Sequence, residues 1–498
     1  MRFTCRAALT LAATASLLAG SNPLPAAQGS ATGPLYDVVI QGGRVMDPET
    51  GVDGIRNVGV IAGRIVKISD AALKGARVIE AKGLVVAPGF IDLHSHGQDL
   101  ENDRLKVMDG VTAAFELEIG VTDVASFLAE RSGRALIHFG TSASHPAARV
   151  AAFGGAMPKG AIVPPTGKAT NEPASVDQIK QMKDRVRAQL DAGGIGVGMG
   201  INYTPGASRL EVIEMFRVAA ERHVPVYVHV RSAGRIEPGS SIESISEVIG
   251  AAAVTGASLH IVHINSMGLR DSGECLRLVE GARARGLDVT TEGYPYGSGM
   301  TAINSALFNP GWRERMGIDY SALRLIATGE RLTQETFERH HASPEPALVT
   351  IDMNPDEIVD EVMLHPLTMV ASDGIILNGK GHPRGAGTFA RVFARYVRSQ
   401  GRLSLMDAIR KSSLMPAQRL EGAAPSARRK GRLQEGADAD IVVFDPATFA
   451  DRATYERPAE SSVGVSFLLV SGVPVVDAGK VIESAFPGKA FTQSLATR

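Results

Sequence analysis

The sequence predicts an α/β protein, a (β/α)8 TIM barrel joined to a small β-sandwich domain built from both chain termini. Three observations carry that expectation. Apolar strand-like runs alternate with helical runs over about 330 residues, the pattern of a parallel barrel. Short β-rich runs stand before residue 88 and again after residue 425. Histidines and acids recur where the strand-like runs stop, which is the end of a barrel that carries its active site.

The first 27 residues read as a secretory signal. Arg2 and Arg6 precede an apolar stretch from Ala7 to Gly20, too short for a confident membrane span, with small residues following it. Ser21 stands where a lipidated cysteine would be needed, so the expected product is exported, periplasmic or secreted, without stable membrane insertion. Residues 28–34 read as a linker. Cys5 lies in the signal and leaves Cys275 alone, so no intramolecular disulfide is available.

From Tyr36 the pattern becomes β. Tyr36-Asp37-Val38-Val39-Ile40 and Arg44-Val45-Met46 flank Gly42-Gly43, and Ala62-Gly63 marks a hairpin. The β domain is expected over 35–87 and 426–486, with a tail at 487–498. The barrel is expected over 88–425. Its strands are predicted near 90–93, 113–119, 136–139, 194–199, 224–228, 259–264, 287–291 and 368–371. Helices are predicted over 175–192 and 209–222. A long insertion at about 310–365 reads as a lid. A doubly wound open sheet is the competing fold, but no glycine-rich dinucleotide fingerprint follows the first strand.

Composition narrows the partners. A formal net charge of −1 and 5% aromatic residues offer neither a basic field nor stacking surfaces for nucleic acid. A small-molecule substrate is expected; the oligomeric state is left open.

The chemistry lies at the strand ends. In His94-Ser95-His96, positions i and i+2 point to the same side, so both imidazoles can reach one ion. His229 and His263 each end an apolar run. Four imidazoles so placed form a zinc set. Glu116-Leu117-Glu118 puts two acids in an apolar strand, expensive unless they are paired or bound to metal. Glu118 is the preferred bridging carboxylate and Glu116 the alternative. Asp373, in Ala371-Ser372-Asp373-Gly374, is expected to bind metal and to serve as the base for a metal-activated water, although an Asp there also suits a helix cap. Among the other histidines, His145 with Arg149 is placed near the pocket, His340 and His341 in solvent, and His260 in the core.

These residues, in this order, resemble the amidohydrolase superfamily and, more closely, its D-aminoacylase (N-acyl-D-amino-acid deacylase) branch. Three segments carry the likeness. They are Gly194 through Tyr203-Thr204-Pro205-Gly206, Ser372-Asp373-Gly374 through His382-Pro383-Arg384 to Gly387-Thr388-Phe389, and Gly431-Arg432-Leu433 with Gly436-Ala437-Asp438. The resemblance implies hydrolysis of the amide of an N-acyl-D-amino acid with one or two Zn2+ ions. It gives Arg384 the substrate carboxylate and Tyr294 the scissile carbonyl. The branch usually bridges its metals with a Cys. Glu116 or Glu118 here is similar to a Glu-bearing subgroup acting on N-acyl-D-glutamate. Asn265 stands where the branch has a Lys, and Ser298 lies near its Ser position, so both are taken as substrate-binding candidates. No Lys occurs between Lys183 and Lys380, which removes the carboxylated lysine of cyclic amidases. Other amidohydrolases, such as a dipeptidase or a toxin amidase, and a catalytically inactive metal-binding protein are the alternatives.

Overall fold

The computed structural model describes residues 35–343, 345 and 347–493. The signal and linker readings, with Cys5, lie outside the described residues.

Eight strands form one parallel sheet in sequential order: β1 (Phe90–Asp92), β2 (Val111–Val121), β3 (His138–Ser144), β4 (Val197–Gly200), β5 (Val226–His229), β6 (Leu259–Ile261), β7 (Val289–Gly293) and β8 (Thr368–Val370). Backbone bonds just beyond β1 and β8 draw the ends of the sheet together. Asp373 N donates to His94 O at 2.7 Å, and His96 N to Gly374 O at 3.0 Å.

The helices follow from local sequence. Val176–Asp191 starts at Ser175, whose hydroxyl accepts from Gln178 N while the Gln178 side chain accepts from Ser175 N, a reciprocal cap. Its buried Ile179, Met182, Val186 and Leu190 recur at three and four residues, one stripe against the barrel. β3 runs further than its sequence suggested, through Gly140-Thr141-Ser142-Ala143-Ser144. These small residues look like a loop, yet all are buried. A Cβ at Gly140 would stand 3.0 Å from the Phe115 ring, so small side chains are what this layer admits.

The β domain joins both ends of the chain in one nine-stranded sheet. Val85–Pro88 pairs antiparallel with Ile441–Phe444, more than 350 residues later. The two expected N-terminal runs are one strand, Tyr36–Asp47, with a register shift between Ile40 and Gly43. Gly42 takes φ +69° there, and a Cβ on Gly43 would meet the Val86 side chain at 2.4 Å. This bend lets one strand pair parallel with both Gly75–Glu80 and Val85–Pro88.

The insertion has a sheet of its own. Ser298–Ala302 and Leu323–Leu325 flank Leu348–Asp352, all antiparallel, over a core that includes Phe308, Trp312 and Phe337. The segment after Gly488 closes the barrel floor. Phe491 N donates to Phe139 O at 2.7 Å, and the Phe491 ring lies 5.1 Å from that of Phe115. No helix among the described residues is long and apolar enough to cross a membrane.

Candidate metal centre and active site

Every side chain of the centre hangs from the C-terminal end of a barrel strand. His94 and His96 follow β1, His229 ends β5, His263 follows β6, Tyr294 follows β7 and Asp373 follows β8. Glu118 is aimed inward by an irregularity in β2, where the pairing with β3 shifts between Glu116 and Val121. Gly198 makes room for that bulge, since a Cβ there would stand 2.7 Å from Glu118 O. His263 and Asp373 take φ +28° and +51°. Left-handed backbone at non-glycine residues costs about 1–3 kcal/mol each and collects at functional sites.

The donors fall into two groups that share Glu118. In the first, His94 Nε2 and His96 Nε2 are 3.3 Å apart, each 3.2 Å from Glu118 Oε2 and 3.3 Å from Asp373 Oδ1. Ligands at about 2.0–2.1 Å from a tetrahedral zinc stand about 3.3–3.4 Å from one another, so these four donors have the spacing of a coordinated ion. In the second group, Glu118 Oε1 lies 2.6 Å from His229 Nδ1 and 2.9 Å from His263 Nε2, which is hydrogen-bond contact. Glu118 thus turns one oxygen to each group, as a bridging carboxylate does. The tetrahedral spacing belongs to the group of His94, His96, Glu118 and Asp373, not to that of His229 and His263.

Glu116 is not in either group. It accepts from His96 Nδ1 at 2.7 Å, fixing the ring from behind. Glu292 does the same for His94 Nδ1 at 2.6 Å, and its other oxygen meets His260 Nε2 at 3.0 Å. Imidazoles that bind metal are commonly held in this way by a carboxylate. His260 therefore sits in the core, as expected, but inside this relay. A second buried network fastens the β1–β8 seam. Lys106 Nζ donates to Asp92 Oδ2 and to Ser372 Oγ, both at 2.6 Å, while Ser372 N donates to Asp92 Oδ1 at 2.9 Å. The sequence reading missed Glu292, Asp92 and Lys106. For Asp92 the signal was present, since it is an acid within the apolar run Phe90-Ile91-Asp92-Leu93, the criterion that found Glu118.

The substrate side is a cavity of about 850 Å3 reached by His96, Glu118, His229, His263, Tyr294 and Asp373. The Tyr294 hydroxyl is buried without a hydrogen-bond partner. Arg384, 1% exposed, lies with its guanidinium carbon 4.6 Å from the centroid of the Tyr294 ring. Its Nη1 is in ion-pair contact with Asp373 Oδ2 at 2.8 Å, off the line of a hydrogen bond, and Nε and Nη2 have no partner.

Four expected placements need correction. Asn265 is fully buried and off the cavity wall, its amide donating to Tyr294 O at 3.2 Å because the short helix Ile264–Gly268 turns it behind that residue. Ser298 gives its hydroxyl to Asp352 across the insert sheet rather than to the cavity. His145 and Arg149 pair with Glu211 behind the barrel strands and do not line the cavity. His341 stacks on Phe337 at 5.3 Å and lines the cavity instead of standing in solvent.

The electrostatics suit a cation. Glu116, Glu118, Glu292 and Asp373 face Arg384 as the one fixed positive charge among the groups named at the site. Burial works against a charged His94, but Asp373, Glu118 and Glu292 outweigh it and hold its pKa well above the ordinary imidazole value. Burial also disfavours an ionised Glu118; His94, with the bonds from His229 and His263, holds it well below the usual carboxylate range. Asp373 is lowered against its burial by Arg384 and His94. Burial lowers His229 and pushes Tyr294 up to about 12, so the phenol keeps its proton. The donor set, its spacing and its excess negative charge all fit zinc.

A barrel with this donor set at its C-terminal mouth defines a metal-dependent hydrolase of the amidohydrolase superfamily. No family model matches the chain. It is 30% identical over 472 residues to an N-acyl-D-glutamate deacylase of Alcaligenes xylosoxydans xylosoxydans, covering 88% of this chain and 93% of the relative. It is also 30% identical over 499 residues to a D-aminoacylase of the same organism, covering 91% and 96%. A crystal structure of N-acyl-D-glutamate deacylase from Bordetella bronchiseptica, complexed with zinc and a phosphonate inhibitor, superposes with TM-score 0.76 at 26% identity. It covers 92% of this chain and 100% of that one. The chain belongs to the D-aminoacylase family, the N-acyl-D-amino-acid deacylases.

Proposed function

We propose that this protein hydrolyses the amide bond of N-acyl-D-amino acids, N-acyl-D-glutamate among them, releasing a carboxylic acid and the free amino acid. One observation carries the reading. Four imidazoles and two carboxylates converge beside one cavity, with a phenol and a guanidinium that keep buried donors free of hydrogen bonds. The activities named for the relatives support the choice of substrate.

Zinc, when bound by His94, His96, Glu118, Asp373, His229 and His263, supplies Lewis acidity at the reacting centre. The chain's own groups do the rest. Asp373 takes the proton of the attacking water and returns it to the leaving amine. Tyr294, protonated at neutral pH, donates to the developing oxyanion. Arg384 directs its two free nitrogens to the amino acid's carboxylate, and Asn265 fixes the Tyr294 backbone.

The test is amine release by zinc-loaded protein from N-acetyl-D-glutamate, its L enantiomer and D-containing dipeptides. Release from the D amide, lost on chelation and restored by zinc, is expected. Equal rates for the L enantiomer, or no release from any D amide, overturn the reading. We also propose action outside the cytoplasm, supported by the sequence of residues 1–27. N-terminal sequencing of the mature protein, beginning after residue 26 or 27, checks it.

A further inference from the structure

The cavity is larger than the reaction needs. An N-acetyl amino acid of about 13 non-hydrogen atoms, at about 20 Å3 each when packed, fills about 260 Å3, against the 850 Å3 available. The remaining volume has a defined wall. It begins at Tyr203, whose ring lies 4.7 Å from that of His229, and continues through Ile162, Val163, Ala302 and Leu307, which pack together with Tyr203. Four methionines, Met267, Met300, Met316 and Met353, line the cavity as well. Ile162, Leu307 and three of the four methionines are only half-buried, so apolar surface stays open beside a polar centre. Methionine adapts its shape to irregular apolar groups.

This wing is built, not incidental. The 158–166 loop is tied to the insert by a bridge between Pro165 and Ser305, by Thr166 N donating to Asn304 O at 2.8 Å, and by Thr166 Oγ1 donating to Asn309 Oδ1 at 2.9 Å. Thr301 Oγ1 donates to the Tyr203 hydroxyl at 3.1 Å and fastens the insert to the barrel rim.

Orientation decides which part of the substrate enters the wing. In the deacylase reading Arg384, after β8, takes the amino acid's carboxylate and Tyr294, after β7, the scissile carbonyl. The acyl arm leaves the scissile carbonyl on the other side, toward Tyr203 and His229 after β4 and β5, where the wing begins. Resting on the deacylase reading above, we propose that the substrate carries a large apolar acyl group, a medium-chain or aromatic acyl, lying between the 158–166 loop and the insert.

The experiment compares kcat/KM of the zinc-loaded protein for N-acetyl-D-glutamate, N-decanoyl-D-glutamate and N-acetyl-D-phenylalanine. An advantage of at least 30-fold for the decanoyl over the acetyl glutamate supports the proposal. In Leu307→Asn and, separately, Ile162→Asn, that ratio should fall at least tenfold. Robust turnover of N-acetyl-D-glutamate with no gain from the long acyl overturns the proposal and leaves the deacylase reading standing. So does a gain confined to N-acetyl-D-phenylalanine, which assigns the wing to the side chain. Turnover of no D substrate overturns both.

Discussion

Replacing Lys106 with Met tests what holds the metal-bearing ends of β1 and β8 together. Lys106 is 1% exposed and Asp92 wholly buried, with their charged atoms 2.6 Å apart. Met fills much the same volume but leaves the Asp92 carboxylate with only Ser372 and the His94 amide as donors. Breaking a buried pair from one side costs about 3–5 kcal/mol, because a charge is left without compensation. Roughly 460 folded-domain residues at about 2.1 cal/mol/K each give an unfolding entropy near 1 kcal/mol/K, so Tm should fall by about 3–5 °C. Pairing Lys106→Met with Asp92→Asn removes the stranded charge and should recover most of that loss. Differential scanning calorimetry of the two variants, with zinc content measured on the same samples, reads both effects. A single variant within half a degree of the parent, or a double variant no more stable than the single, refutes the account of the seam.

Three further outcomes follow from the site and the floor of the barrel. Asp373→Asn should lower kcat about 10²–10⁴-fold, the usual contribution of a positioned base, as read by steady-state kinetics. Glu118→Gln should abolish tight zinc binding by both donor groups, measured by metal analysis after dialysis, because each oxygen of this one carboxylate serves a different group. Asp440 is buried between Lys430 and His138, which hold its carboxyl below the ordinary value despite burial. Its contribution is therefore present above the unfolded value of about 3.9 and is lost as pH falls toward the folded one. Urea midpoints between pH 6 and pH 3 should drop less steeply in Asp440→Asn than in the parent.

The barrel was legible because its strands are apolar runs that end in chemistry. His94, His96, Glu118, His229, His263 and Asp373 were each readable as polar residues closing such runs, and the structure brings their ligand atoms together. What escaped the sequence is whatever depends on the far side of a ring. Nothing in a one-dimensional pattern says that Glu116 faces Nδ1 of His96 while Glu118 faces Nε2, since both acids point the same way from one strand. Glu292 was overlooked because His94, its partner, lies 198 residues away. Asn265 and Ser298 were placed by resemblance alone, and their side chains serve neighbouring backbone and the insert. The extent of β3 was hidden by small polar residues that close packing inside the barrel demands.

The β domain and the barrel floor impose an order on folding. Val85–Pro88 has no neighbour on one side until Ile441–Phe444 has been made, and the floor stays open until Phe491 arrives. Contacts across such separations pay loop-closure entropy before any reward and form slowly. The barrel mouth, with its costly cluster of like charges, therefore rests on a scaffold that is incomplete until residues 441–444 and 491 have found their partners. Removal of residues 488–491 will thus be felt at the opposite pole of the barrel from the chemistry.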